Sequence, residues 1–185
     1  MASTRIKPAP ANPSDVVTFW RAAGPEHWFS KNADFDTEFR ERFYTAHFAA
    51  ARQELEDWLA APESALALIL LLDQYPRNAF RDTGHMFATD GLALHYAQLS
   101  LHHLDHVEPD LRSFICLPYM HAESLAMQET SVELYRKHDP ESLYWATMHR
   151  DIIARFGRFP HRNLLLGRTS VPEEQAFLDG GGFAG

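Results

Sequence analysis

The chain has 185 residues, 45% of them hydrophobic and 12% aromatic, with 25 acidic against 17 basic side chains and a net charge of -8. That apolar content can fill a core, and it excludes intrinsic disorder, which goes with low hydrophobicity and high charge density. The acidic balance argues against general nucleic-acid binding, because phosphate neutralisation needs a broad basic surface.

Helical signals run through the chain, and no stretch alternates with the period of a strand. Residues 1–11, with basic residues and prolines but no apolar run, read as a mobile lead-in and not as a signal peptide. Asn12 and Pro13 have the form of a cap and a first-turn proline for a helix "PSDVVTFWRAAG" that stops at Gly24. Asp34 is the expected cap of a long helix in which Phe35, Phe39, Phe43, Ala46, Ala50 and Trp58 recur at helical spacing. After the break "AAPES", the segment 64–76 is apolar on nearly every face and predicts a buried central helix. Its longest apolar run, Ala65 to Leu72, is too short to cross a bilayer.

Thr89 or Asp90 starts another helix, and two more are expected from Glu123 to His138 and from Glu141 to Phe156. "VPEEQAFLD" adds a last turn or two before a mobile glycine tail, 180–185. These elements describe one domain, 12–179, of layered antiparallel helices. The single cysteine, Cys116, lies in "FICLPYM", where a small hydrophobe is the simplest reading. It has no intramolecular partner, which fits a reducing, cytoplasmic location without a membrane partner.

Polar residues on stripes that belong inside are the informative feature. The face 121, 125, 128, 132, 135 carries His121 and Gln128; the face 145, 149, 152, 156 carries His149; and Asp73 closes the greasy face of the central helix. Unpaired buried polar groups cost about 1 to 3 kcal/mol each, so these four need partners. They orient helices as satisfied core groups, or they line a pocket.

A second signal is the string "RFGRFPHRN" at 155–163. Gly157 is suited to end a helix in a left-handed turn, and Pro160 drives Phe159 toward an extended conformation. From Arg155 to Arg168 there are four arginines and no acid, a charge of +4, so the remaining residues sum to -12. "YPRN" at 75–78 has the same sense, an aromatic and a proline before Arg-Asn. The forked donors of Arg77, Arg155, Arg158, Arg162 and Arg168 suit carboxylate or phosphate, held internally or as a bound anion.

The strings "LALILLLDQYPRNAFRDT", "FATDGLALHYA", "LPYMHAESLAMQE" and "HRDIIARFGRFPHRNLLLGRTS", with "FWRAAGPEHWF" upstream, resemble the bacterial family known as domain of unknown function 924. The resemblance implies an all-helical fold similar to tetratricopeptide-type helix pairs and no established activity. Its signature positions fall on Asp73, Gln74, Pro76, Arg77 and Asn78; on His121, Glu123 and Gln128; and on His149, Arg155, Phe156, Arg158, Pro160, His161, Arg162 and Asn163. The chain departs from the family pattern at Ala122, where a hydroxyl is usual.

Three functions stay open at this level. The first is binding of a small anion bearing phosphate or carboxylate, with Asp73, Gln74, Arg77, Asn78, His121, Glu123, Gln128, His149, Arg155, Arg158, His161, Arg162 and Asn163 as candidate ligand-binding residues. The second is a hydrolase or transferase using His121, Glu123 and His161. The third is an adaptor that grips a peptide or protein in a helical groove. No cofactor is implied. His102 and His106 have the i, i+4 spacing of a metal pair, but they sit at a helix end beside "VEPD", where polar clusters are solvated, so no metal site is expected.

Overall fold

A computed structural model of the protein describes residues 11–185; the lead-in expected at 1–11 lies, except for Ala11, outside the described residues. Ten α-helices and six short 3-10 turns, joined by turns and loops, lie among the described residues, with no strand among them. The helices are α1 (Pro13–Ala23), α2 (Pro25–Trp28), α3 (Ala33–Ala51), α4 (Pro62–Leu72), α5 (Gln74–Ala79), α6 (Asp90–Leu99), α7 (Ser113–Met120), α8 (Leu125–His138), α9 (Leu143–Phe156) and α10 (Pro172–Asp179). The all-helical class is therefore as the periodicity predicts.

Local signals explain most helix starts. The Asn12 side chain accepts from the Ser14 backbone N–H, and Pro13 opens α1. Asn32, and not Asp34, caps α3, because its Oδ1 reaches the backbone N–H groups of Asp34 and Phe35 at 3.1 Å. The expected long helix through Trp58 ends instead at Ala51. Gln53 turns back with φ 62, and Trp58 belongs to a separate 3-10 turn, Glu56–Ala60.

The central element α4 is buried from Ala65 to Leu72 and packs against α1, α3, α6 and α7. A full ring of apolar residues makes this the energetically favoured position, since each fully buried leucine or isoleucine contributes about 1.5 to 3 kcal/mol. Beside it, Phe19 stacks against both Phe35 and Phe39 with ring centroids at 5.2 Å, and Trp20 meets Phe114 edge-on at 5.3 Å. The continuous helix expected over 64–76 is broken at Asp73, which ends α4 and precedes α5.

Helix α7 was not anticipated from the sequence. "SFICLPYM" is apolar all round, and Pro118 sits inside the helix, which removes the usual periodic signature and supplies a breaker. Cys116 is buried there as a free thiol, and burial pushes its pKa up to about 12.

The exit from α9 follows the sequence closely. Gly157 adopts φ 69 and ψ -3, its N–H bonds the carbonyl of Ile153 at 2.8 Å, and Phe159 is extended. A Cβ at Gly157 would meet nothing within 4 Å, so only backbone strain opposes a side chain there. Gly157→Ala is expected to lower stability by about 1 to 2 kcal/mol, measured by urea denaturation. An unchanged midpoint would contradict a strained left-handed cap.

Candidate functional site

Asp73, His121 and Arg162 sit where helices end, together with Asp90, whereas Gln128 and His149 lie within α8 and α9. Asp73 lies in the joint between α4 and α5, His121 caps the end of α7, Asp90 opens α6, and Arg162 closes the 3-10 turn Pro160–Arg162 after α9. Helix termini leave orphan backbone groups, so junctions are where polar side chains enter an apolar interior at least cost.

These groups form one continuous chain. Asp73, 1% exposed, accepts from His121 Nδ1 at 2.7 Å through Oδ1 and from Gln74 Nε2 at 2.6 Å through Oδ2. Arg77 Nη1 donates to the Asp73 carbonyl at 2.7 Å and lies 3.2 Å from the Asp73 carboxylate. The same guanidinium pairs with Asp90, at 2.8 Å from Oδ1 and 3.0 Å from Oδ2. Asp90 Oδ2 also accepts from Arg162 Nη1 at 3.0 Å. Two arginines thus share Asp90. Phe87 and Phe159 lie against the Arg162 guanidinium, with ring centroids at 4.6 and 4.5 Å.

His149 and His161 adjoin this chain. The His149 ring meets Phe159 at 5.5 Å and Phe183 at 4.7 Å, and its Nδ1–H donates to the Trp145 carbonyl at 2.8 Å. His161 meets Phe183 at 5.1 Å, and its buried Nδ1 has no partner. The glycine-rich tail is laid back over both rings through Phe183. Gln128 holds the carbonyls of Met120 and Ala122 at 2.6 and 2.8 Å, the two residues flanking His121, and so fixes the backbone that presents the imidazole.

The charge states follow from burial and neighbours. Burial pushes the Asp73 carboxyl up, but Arg77, His121 and Gln74 outweigh it and hold it well below the usual carboxylate range. Burial, reinforced by Arg77, lowers the His121 pKa against the opposing pull of Asp73, leaving the imidazole neutral at pH 7. An ionised carboxylate only accepts, so the proton of neutral His121 is on Nδ1, and Nε2 keeps its lone pair with no protein partner among the described residues. Burial lowers His149 to about 4 and His161, with help from Arg162, to about 3. Burial also lowers Arg162 to about 10 despite Asp90, whereas Asp73 and Asp90 together outweigh burial and raise Arg77.

The other expected site residues lie in separate groups. Glu123 is held by Arg168 at 2.6 and 2.9 Å and by the Phe159 N–H at 2.8 Å, and these bonds outweigh burial and lower its pKa. Arg158 forks onto Glu174 at 2.6 and 2.8 Å, and Asn163 donates to the same carboxylate at 3.1 Å. The Arg158 fork comes first among the causes that lower Glu174 to about 2. Asn78 pairs with Asp36, which also takes a fork from Arg81. Arg155 lies 4.6 Å over the Phe156 ring. The +4 segment therefore finds Asp90, Glu123 and Glu174 outside itself, and three of its four arginines pair with a carboxylate.

A groove of about 470 Å³ lies beside this polar chain, lined by Met148, Ile152, Arg155, Phe177 and Phe183 among others. It is largely apolar and does not contain the Asp73–His121 pair; Phe183 is the wall shared with His149 and His161. Sequence reasoning missed Asp90, Phe87 and Glu174. Asp90 and Glu174 read as first-turn acids that complement a helix dipole, an ordinary role that hides a second one. Elsewhere, His103 spends Nε2 on the Leu59 carbonyl at 2.9 Å, and no group of three or more metal-ligating side chains occurs among the described residues.

A family model for bacterial proteins of unknown function, DUF924, matches residues 16–182. The chain belongs to the DUF924 family. A solved structure of a protein of unknown function from Agrobacterium tumefaciens is similar at 50% identity over 91% of this chain and 97% of that one, with a TM-score of 0.88. No curated protein matches the chain. The DUF924 match runs across all the helices that deliver Asp73, Asp90, His121 and Arg162. No described helix is long and apolar enough to cross a membrane.

Proposed function

We propose that this DUF924 protein binds a small anion carrying a carboxylate or phosphate group at the junction of Arg162, Arg77, His121, His149 and His161. One observation carries the reading. The Arg162 side chain is 7% exposed, yet it has only a share of one carboxylate, and its Nε is buried without a partner. Leaving a donor of a buried cation unpaired costs more than leaving a neutral one, so a bound anion would relieve a real deficit. Arg77, by contrast, has two carboxylates within 3.2 Å and needs no ligand. The forked geometry of a guanidinium suits a planar carboxylate or a phosphate face.

The test is thermal unfolding in a panel of phosphates and carboxylates at constant ionic strength. An anion at 100 times its dissociation constant stabilises the fold by about 2.7 kcal/mol, a rise in Tm of roughly 5 to 10 °C for a chain of this size. Arg162→Lys keeps the charge but loses the fork, and should abolish the rise. Arg155→Ala, at the apolar groove, should leave it intact. A panel that leaves the unmutated protein unmoved would make Arg162 an internal strut. A rise that depends on Arg155 instead would move the site to the groove.

A further inference from the structure

After α10 the segment 180–185 crosses back over the fold, and one aromatic ring holds it there. Phe183 is half-buried, and its ring meets His149 at 4.7 Å and His161 at 5.1 Å, edge-on in both cases. Backbone hydrogen bonds tie Gly180, Gly181 and Gly182 to the end of α10, the last of them from the Gly182 N–H to the Phe177 carbonyl at 2.9 Å. Among the described residues, no hydrogen bond holds Phe183, Ala184 or Gly185. Gly181 turns with φ 80, and a Cβ on Gly182 would lie 2.6 Å from both the Phe177 ring and the Phe177 carbonyl. Both positions therefore need glycine while the segment lies in place.

What Phe183 covers is polar. His161 Nδ1 is buried without a partner, a cost that opposes closure, whereas removing part of the Phe183 ring from water favours it. The contact leads inward through Phe159, whose ring lies 5.5 Å from His149, 5.6 Å from His161 and 4.5 Å from the Arg162 guanidinium. Phe183 thus stands at the outer end of the candidate site. We infer that 180–185 is a lid, in which Phe183 swings off His149 and His161 about Gly181 and Gly182 and admits a small anion toward Arg162. What enters rests on the anion reading; the motion does not. Segments with few buried apolar contacts and few hydrogen bonds open locally while the rest of the fold stays intact. Opening also removes the wall that the site shares with the apolar groove.

Modification of the histidines by diethyl pyrocarbonate at pH 7.5, resolved site by site by mass spectrometry, tests this with internal standards. His106 is exposed and His47 is fully buried, so they mark free access and access through global unfolding. In the unmutated protein His161 should react about tenfold slower than His106 and about tenfold faster than His47, the mark of local opening. Phe183→Ala removes the anchor and Gly182→Ala forces the segment off Phe177. Each should bring His161 to within about threefold of His106 and speed His149, while His47 stays protected. Ala184→Ser, at an exposed position, should change nothing. A His161 as slow as His47 in the unmutated protein, or as fast as His106, overturns the lid. So does a slow His161 in both variants, which would assign its protection to other groups, and so does exposure of His47 in both, which would make the segment part of the core. Inorganic phosphate or citrate at constant ionic strength should then slow His161 about fivefold in Phe183→Ala. If neither does while the other results hold, the anion reading falls and the moving segment stands.

Discussion

Asp73→Asn should lower the free energy of unfolding by about 3 to 5 kcal/mol, the cost of breaking a buried ion pair from one side. The substitution conserves volume, so packing loss is not the cause. Asp73 is 1% exposed and accepts from two side chains while neutralising Arg77. An asparagine can accept at one of its two positions only, so its amide N–H points at either the His121 donor or the Gln74 donor. Arg77 keeps Asp90, but Asp90 already serves Arg162. For a chain of this length the loss corresponds to a fall in Tm of roughly 6 to 20 °C. Asp36→Asn is the comparison, because Asp36 holds a fork from Arg81 nearer the surface and its loss should cost less. Urea denaturation of the two variants side by side decides the matter. A cost below about 1 kcal/mol for Asp73→Asn would mean that the junction is held by packing and not by its carboxylate.

The second large effect is acid lability in a window set by histidines. His47 is fully buried, its Nδ1–H on the Leu71 carbonyl at 2.8 Å and its Nε2 3.2 Å from His85 Nε2; burial lowers it to about 4. His149 is lowered to about 4 and His161 to about 3, both chiefly by burial. A folded pKa below the unfolded value of about 6.5 means that the unfolded chain takes up protons first as the pH falls. The stability these groups confer is complete above pH 6.5 and is lost progressively as the pH drops toward their folded pKa. At pH 5 each of His47 and His149 should already have removed about 2 kcal/mol, a large share of a domain stability of about 5 to 15 kcal/mol. Asp73, Glu123 and Glu174 are depressed instead, so their contribution falls away only below the usual carboxylate range near 4.5. Unfolding free energies at pH 7.5 and pH 5 should therefore differ by about 4 kcal/mol or more, with uptake of two to three protons. His149→Gln should reduce the slope by about one proton. A flat profile between these values would show that the imidazoles are solvated in the folded state.

The helical class, the burial of 65–72, the exit at Gly157 and the burial of Asp73, Gln128 and His149 were all legible in the sequence, whereas the face expected to join His121 to Gln128 is broken between α7 and α8. Each depends on a local property: a period of 3.6, an apolar run with no polar face, a glycine suited to positive φ, or a polar residue on a greasy stripe. Where local signals mislead, the reason is also local. Pro118 hid α7 by looking like a breaker, and the helical spacing of Trp58 with Phe43 and Ala50 extended α3 past a reversal that one residue, Gln53, imposes. What no local property contains is pairing. Arg158, Arg162 and Arg168 look alike in the string, yet the fold gives them Glu174, Asp90 and Glu123, at separations of 16, 72 and 45 residues. Which arginine is saturated and which is short of a partner depends on where distant helix ends meet, because an ion pair is fixed by distance in space and not by order along the chain.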